Sequence, residues 1–347
     1  MSARSTARGP EVAGQGVCPG AIVLEEQTTL AAFNRQTGVR HGMFMTFVSF
    51  PGVVEPKSPE DGKLSRFLVA CREVRAVPVV TVECFQGLDS YKTDQVARFA
   101  ERVRRESWTP PIVRWNHEMN GSWYPWGQQP GKYIERFRAF AEILRREAPD
   151  AAMAWTPNQG WGYPWPGCKF ANAHLESGDP YAPYYPGDDV VDWVGISYYH
   201  WGETRGASEI PPHGKWGSAL GFGNPVGNFH DLYAVQHGKP MMVAETSALY
   251  DLGDTKKGGA PEAAIKCEWI RQVYNTTDES QPRLDRDLPH LKAIFWFSIL
   301  KHEEEVGGMV DWRVSSNPAV VECYRTAVSA AAEINGLPSE AQAKRRA

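Results

Sequence analysis

The chain has 347 residues, with 37 Lys and Arg against 41 Asp and Glu, a formal net charge of −4, and 42% hydrophobic residues. It lacks the clustered basic excess of nucleic-acid-binding domains and any apolar run of roughly 18 residues, so neither nucleic acid nor a membrane is expected as a partner. The length is large for one ordinary domain but suits an α/β barrel folded as a unit, with a core to match.

In chain order, residues 1–19 are expected to be a flexible N-terminal segment. Arg4 and Arg8 precede no apolar run, so the sequence as written shows no signal peptide. The expected location is therefore extracellular if an export segment has been removed and cytoplasmic otherwise. Strands are predicted at Ala21–Leu24, Met43–Val48, Val77–Val82, Ile112–Trp115, Ala151–Trp155, Trp193–Ser197, Met241–Ala244 and Ala293–Phe297. Most are continuous apolar runs, as parallel strands covered on both faces require. Helical segments fall between most of them, at Thr28–Thr37, Leu64–Arg75, Asp94–Glu106, Lys132–Glu147, Asn228–Gln236 and Pro261–Asn275, and Pro318–Glu333 ends the series. In the fourth of these, Tyr133, Phe137, Phe140, Ala141 and Leu144 recur at helical spacing, and Pro149 then stops the helix.

Eight strand–helix repeats predict a parallel sheet closed into a single (β/α)8 TIM barrel over residues 20–335, with a flexible tail at 336–347. No glycine-rich phosphate loop opens a helix, which argues against an open nucleotide-binding sheet. Two Gly/Pro-rich stretches, 157–190 and 201–227, follow strands five and six. Long loops of this kind are usually functional, and barrel active sites lie at the C-terminal ends of the strands.

The segment from Arg114 to Gly127, RWNHEMNGSWYPWG, sets Glu118 at the end of the fourth strand and directly before a run of aromatics. Such a segment offers a proton-handling carboxyl beside flat faces that can hold a sugar ring. Glu245, in Ala244-Glu245-Thr246, ends the seventh strand in the same way. Two carboxyl groups about 5–5.5 Å apart can cleave a glycosidic bond with retention, one attacking the anomeric carbon and the other protonating the leaving oxygen. The acid needs surroundings that keep it neutral, which aromatics provide; the nucleophile needs hydrogen bonds to stay ionised, and Tyr198 or Tyr199 could donate one. Asn116, His117 and Asn120 could bind sugar hydroxyls, although Asn120-Gly121 also makes a good turn. Arg114 is expected to point inward and be paired. Asn158, Trp161, Trp165, His200 and Trp201 could line sugar subsites or pack as loop core.

His117-Glu118-Met119-Asn120-Gly121 followed by Trp123-Tyr124-Pro125-Trp126-Gly127 resembles the acid/base signature of glycoside hydrolase family 26, a family of β-mannanases with some lichenases and β-1,3-xylanases. The resemblance covers roughly residues 20–335. It implies Glu118 as acid/base, Glu245 as nucleophile, and His117 orienting the acid and touching the sugar. It further implies Trp123 lining the site, Tyr199 bonding the nucleophile, and Trp296 as the platform beneath the sugar. Asn120, Trp126, Trp161 and Trp201 are further expected substrate contacts. The chain departs from the family at Val82-Glu83-Cys84-Phe85-Gln86-Gly87, where a His-containing segment is usual.

The expected function is retaining endo-β-glycosidase action on a polysaccharide or oligosaccharide, with β-mannan first. A β-glucan or β-xylan substrate, an intracellular transglycosylase and a non-hydrolytic glycan-binding barrel are the alternatives. A monomer without cofactor or metal is expected. Six cysteines, at 18, 71, 84, 168, 267 and 323, show no zinc spacing and leave free thiols or one or two disulfides open. His302 with Glu303, Glu304 and Glu305 reads as a solvated loop, and Asp188, Asp189 and Asp192 as an acidic loop rather than a cation site.

Overall fold

The computed structural model describes residues 8–10, 16–160, 178–253 and 259–334. Eight parallel strands close into a barrel in sequence order: β1 Cys18–Ile22, β2 Met43–Ser49, β3 Val77–Glu83, β4 Ile112–Trp115, β5 Ala152–Trp155, β6 Trp193–Ser197, β7 Met241–Thr246 and β8 Leu291–Phe297. Helices α1 Leu30–Thr37, α2 Pro59–Val74, α3 Thr93–Glu106, α4 Pro130–Glu147, α5 Lys215–Leu220, α6 Glu262–Val273 and α7 Pro318–Ile334 lie between or after them. The fold is the expected (β/α)8 barrel.

Differences from the sequence expectation are local. β1 begins at Cys18 rather than Ala21, because its pairing with β8 runs Cys18↔Ala293 through Ile22↔Phe297 and takes in Pro19 and Gly20. A β-carbon at Gly20 would stand 2.7 Å from the Phe295 ring, so the glycine makes room for that ring. α2 starts earlier than expected, at Pro59, with Ser58 accepting from the Glu60 N–H as the cap. The expected helix at 228–236 is a π-helical turn over His230–Val235. The stretch around His302 is not a loop: β9 Leu300–Glu303 pairs antiparallel with β10 Gly308–Asp311. The expected tail at 336–347 and most of segment 1–19 lie outside the described residues.

Two compact units make up the chain. The first comprises Met1–Glu11, Phe44–Ile196 and His237–Pro240. Its outer core is aromatic: Trp115 of β4 packs on Tyr133, Phe137 and Phe140 of α4, and Phe50 meets Tyr91, Phe99 and Phe140 edge-on. Because side chains alternate along a strand, Trp115 toward α4 sends its neighbour Arg114 the other way. Arg114 is fully buried there and donates to Thr156 Oγ1 at 2.6 Å.

The second unit comprises Val12–Met43, Ser197–Gln236 and Met241–Ala347. Trp269 of α6 packs on Tyr198 and Trp216 and donates to Thr246 Oγ1 on β7. A disulfide joins Cys267 of α6 to Cys323 of α7, while Cys18, Cys71 and Cys84 are free. Cys168 lies outside the described residues.

Candidate active site

In the first unit, the chain leaves β4 through a turn in which two non-glycine residues adopt left-handed conformations, Asn116 at φ 43° and Glu118 at φ 53°. Such residues are uncommon and persist where neighbouring groups fix them. Those groups come from the flanking strands. Asn116 donates its N–H to Val82 O and accepts the Cys84 N–H at Oδ1, and the Glu118 N–H donates to Thr156 O, all at 2.9 Å. The turn therefore hangs from the ends of β3 and β5 and sets Glu118, 6% exposed, three residues beyond β4.

Both oxygens of the Glu118 carboxyl accept hydrogen bonds: Oε2 from the Trp123 indole at 2.8 Å and Oε1 from the Asn158 amide at 3.0 Å. Trp123 is 49% exposed, so the ring that touches the acid also offers a face to solvent. Two close approaches shape this turn. A β-carbon at Gly121 would meet the Trp123 ring at 2.3 Å, and one at Gly127 would meet Gly121 O at 2.1 Å. His117 is buried and its Nε2 lies 3.0 Å from the Tyr124 hydroxyl. Burial, with the Arg114 charge adding to it, holds this imidazole well below its ordinary pKa, so it is neutral.

The second unit carries Glu245 on β7, 5% exposed. Its carbonyl accepts the Tyr198 N–H at 3.0 Å, and its Oε2 accepts the Tyr199 hydroxyl at 2.6 Å. Tyr199 is held edge-on by Phe297 and Trp312 at 5.6 and 5.3 Å. At that distance the hydroxyl donates a short O–H···O hydrogen bond to the carboxyl group.

Glu118 thus lies just past β4 and Glu245 on β7, and the sequence around the first is specific. Residues 85–208 match the model of glycosyl hydrolase family 26. The chain resembles that family. It is 27% identical over 258 residues to endoglucanase H of Acetivibrio thermocellus, covering 72% of this chain and 23% of that protein. It is 30% identical over 122 residues to a mannan endo-1,4-beta-mannosidase of Bifidobacterium adolescentis, covering 33% of this chain and 11% of that protein. The chain thus spans a quarter or less of the length of these relatives. The structure of a family 26 beta-mannanase from Bacteroides ovatus superposes with a TM-score of 0.58 at 12% identity, over 91% of this chain and 89% of that one.

The structure separates the residues that the family 26 resemblance implied. Glu118, His117 and Trp123 share one turn, and Glu245 and Tyr199 share one hydrogen bond. Three residues expected to touch the sugar are fully buried instead. Trp126 is fully buried, donates to His117 O at 2.7 Å and stacks on Tyr124 at 4.4 Å, so it backs the turn. Asn120 is fully buried, with both amide ends bonded to the Asn158 backbone. Trp296 is fully buried: it points outward from β8 to Tyr324 of α7, 5.9 Å away, and donates to Trp312 O. The neighbouring Phe297 faces Tyr199 instead.

Trp201 is half-buried against Trp312, with the Arg205 guanidinium 4.8 Å above its ring. His200 is buried on Glu209 O, and burial pushes its pKa down to about 4. Trp161 and Trp165 lie outside the described residues. Asp189 and Asp192 pair with Arg138 and Arg145, and Asp188 accepts from Tyr185.

Sequence reasoning missed Phe47 and Phe85. Phe47 packs on His117 at 5.6 Å, and Phe85, 48% exposed, leans on Trp126 at 5.4 Å. Both lie on other strand ends, and only Phe85, inside the segment where the chain departs from the family, gave any signal.

Proposed function

We propose that the protein is a retaining endo-β-glycanase in which Glu118 is the general acid/base and Glu245 the nucleophile. The observation that carries this reading is the Glu118 carboxyl: nearly buried, held at both oxygens, and touching an aromatic ring that is itself half exposed. A sugar stacked on Trp123 would lie against the acid. Glu245, on β7 with Tyr199 donating to it, supplies the second carboxylate that the chemistry needs.

In the first step a Glu245 oxygen bonds to the anomeric carbon as the bond to the leaving oxygen breaks, and that oxygen takes the Glu118 proton. The product is a covalent glycosyl-enzyme. In the second step Glu118 removes a proton from water, the resulting hydroxide oxygen attacks the anomeric carbon, and Glu245 leaves as carboxylate. Neutral His117, whose Nε2 meets the Tyr124 hydroxyl, adds no positive charge that would oppose protonation of Glu118.

For the polysaccharide we propose β-mannan, on the 30% identity to the mannosidase; the longer match to endoglucanase H favours a β-glucan as the second reading. New reducing ends from a panel of β-mannan, β-glucan and β-xylan decide between them, and release from none would leave only a binding function. The Cys267–Cys323 bond supports work in an oxidising compartment.

Glu118→Gln is expected to lower kcat/KM on the polysaccharide by about 10²–10⁴-fold. Aryl glycosides whose leaving group needs no proton should lose far less. Equal losses on both substrates would remove Glu118 from the acid role.

A further inference from the structure

Asn158 stands at the end of a hydrogen-bonded clamp built around the acid. Its backbone N–H donates to Asn120 Oδ1 and its carbonyl accepts from Asn120 Nδ2, both at 2.8 Å. Asn120 is in turn fixed: it is fully buried, and its carbonyl accepts the Gln128 side-chain amide at 3.3 Å, while the Gln128 N–H donates to Met119 O at 2.7 Å. The clamp thus ties the residue after β5 to the turn after β4 through main-chain atoms of Asn158 and leaves its side chain free to reach Glu118 Oε1 at 3.0 Å.

The two donors on Glu118 differ in rigidity. Trp123 is half exposed and lies on the turn itself, whereas Asn158 is anchored from outside that turn. Glu118 must alternate between neutral acid and charged base. An amide N–H donates in both states, because it carries no exchangeable charge, and it stabilises the charged state more. A fixed donor on Oε1 therefore does two things: it keeps the carboxyl plane aimed the same way through the cycle, and it favours the charged state over the neutral one.

We propose that Asn158 is a positioning residue for the acid/base, acting through Glu118 rather than on the sugar. The inference rests on the reading of Glu118 given above. Nothing in the clamp depends on the Asn158 side chain, so Asn158→Ala removes the donor and leaves both backbone bonds to Asn120 in place.

The test compares kcat/KM of Asn158→Ala and wild type on β-1,4-mannan (or the glucan or xylan the panel selects) and on the matching dinitrophenyl glycoside, across pH. The expected result is a loss of about tenfold or more on the polysaccharide, under threefold on the activated glycoside, and an alkaline limb moved up by about one pH unit, since the carboxylate has lost a donor. An equal loss on both substrates, or an unmoved alkaline limb, overturns the inference. Glu118→Gln measured alongside separates the two failures. If Glu118→Gln discriminates between the substrates and Asn158→Ala does not, the acid assignment stands and the role of Asn158 falls. If Glu118→Gln does not discriminate, both fall together.

Discussion

Single residues decide most of what the site can do. Trp296 and Phe297 are adjacent aromatics at the end of β8, and strand alternation sends them to opposite faces. Trp296 goes outward to Tyr324, and Phe297 goes to Tyr199. Trp296→Ala should therefore behave as a core truncation and cost about 3–5 kcal/mol of stability. KM for the polysaccharide should stay close to wild type in the folded fraction. A KM raised tenfold with unchanged unfolding would restore Trp296 as a sugar platform. The sequence showed an aromatic at a strand end but could not show its parity, because the strand's register is set by β1 and β7 and not by the residues of β8 alone. Glu118 was legible because His117, Asn120, Gly121 and the tryptophans are consecutive. Asn158 as its partner was not, since the Asn120 clamp joins residues 38 apart in the chain.

Among elements, the α6–α7 pair depends on a covalent link. Cys267 and Cys323 are 56 residues apart in sequence, and closing a loop of that size restricts the unfolded chain by about 4 kcal/mol in the chain-entropy account. Cys267→Ser with Cys323→Ser should lose roughly 2–4 kcal/mol by urea unfolding. Reductant should lower the stability of wild type and leave the double variant unchanged. An equal response of both to reductant would count against this bond. No pairing could be read from six widely spaced cysteines; the packing of α6 on α7 selects it. Helices with a clean apolar period, such as α4, were legible almost to the residue. The β9–β10 hairpin was not, because the charged run His302–Glu305 hides a strand and a turn; Trp312, just past β10, donates its indole N–H to Glu303 Oε1.

For the molecule as a whole, buried histidines contribute to the response to mild acid. Burial lowers His41 to about 3 and His200 to about 4, and holds His117 well below its usual value. Their ordinary value is 6.5, so the unfolded chain takes up protons there and the folded chain does not. Their stability is therefore intact above pH 6.5 and is lost as pH falls from there toward 4. The urea midpoint should drop steadily between pH 7 and about 4.5, and His41→Gln should flatten the slope. A midpoint that stays level over this range would show that these rings are protonated in the folded chain.

Eight apolar runs alternating with helical segments already specify the (β/α)8 plan, since few other folds accommodate them. The sequence also singled out Glu118 as a candidate, because its turn is written in consecutive residues. Which aromatics lie at the Glu118 turn, which are buried behind it, which cysteines pair and which amide bonds the carboxyl became apparent in the folded chain alone. Those depend on strand parity and on contacts between residues far apart in the chain, and neither is encoded in local spacing.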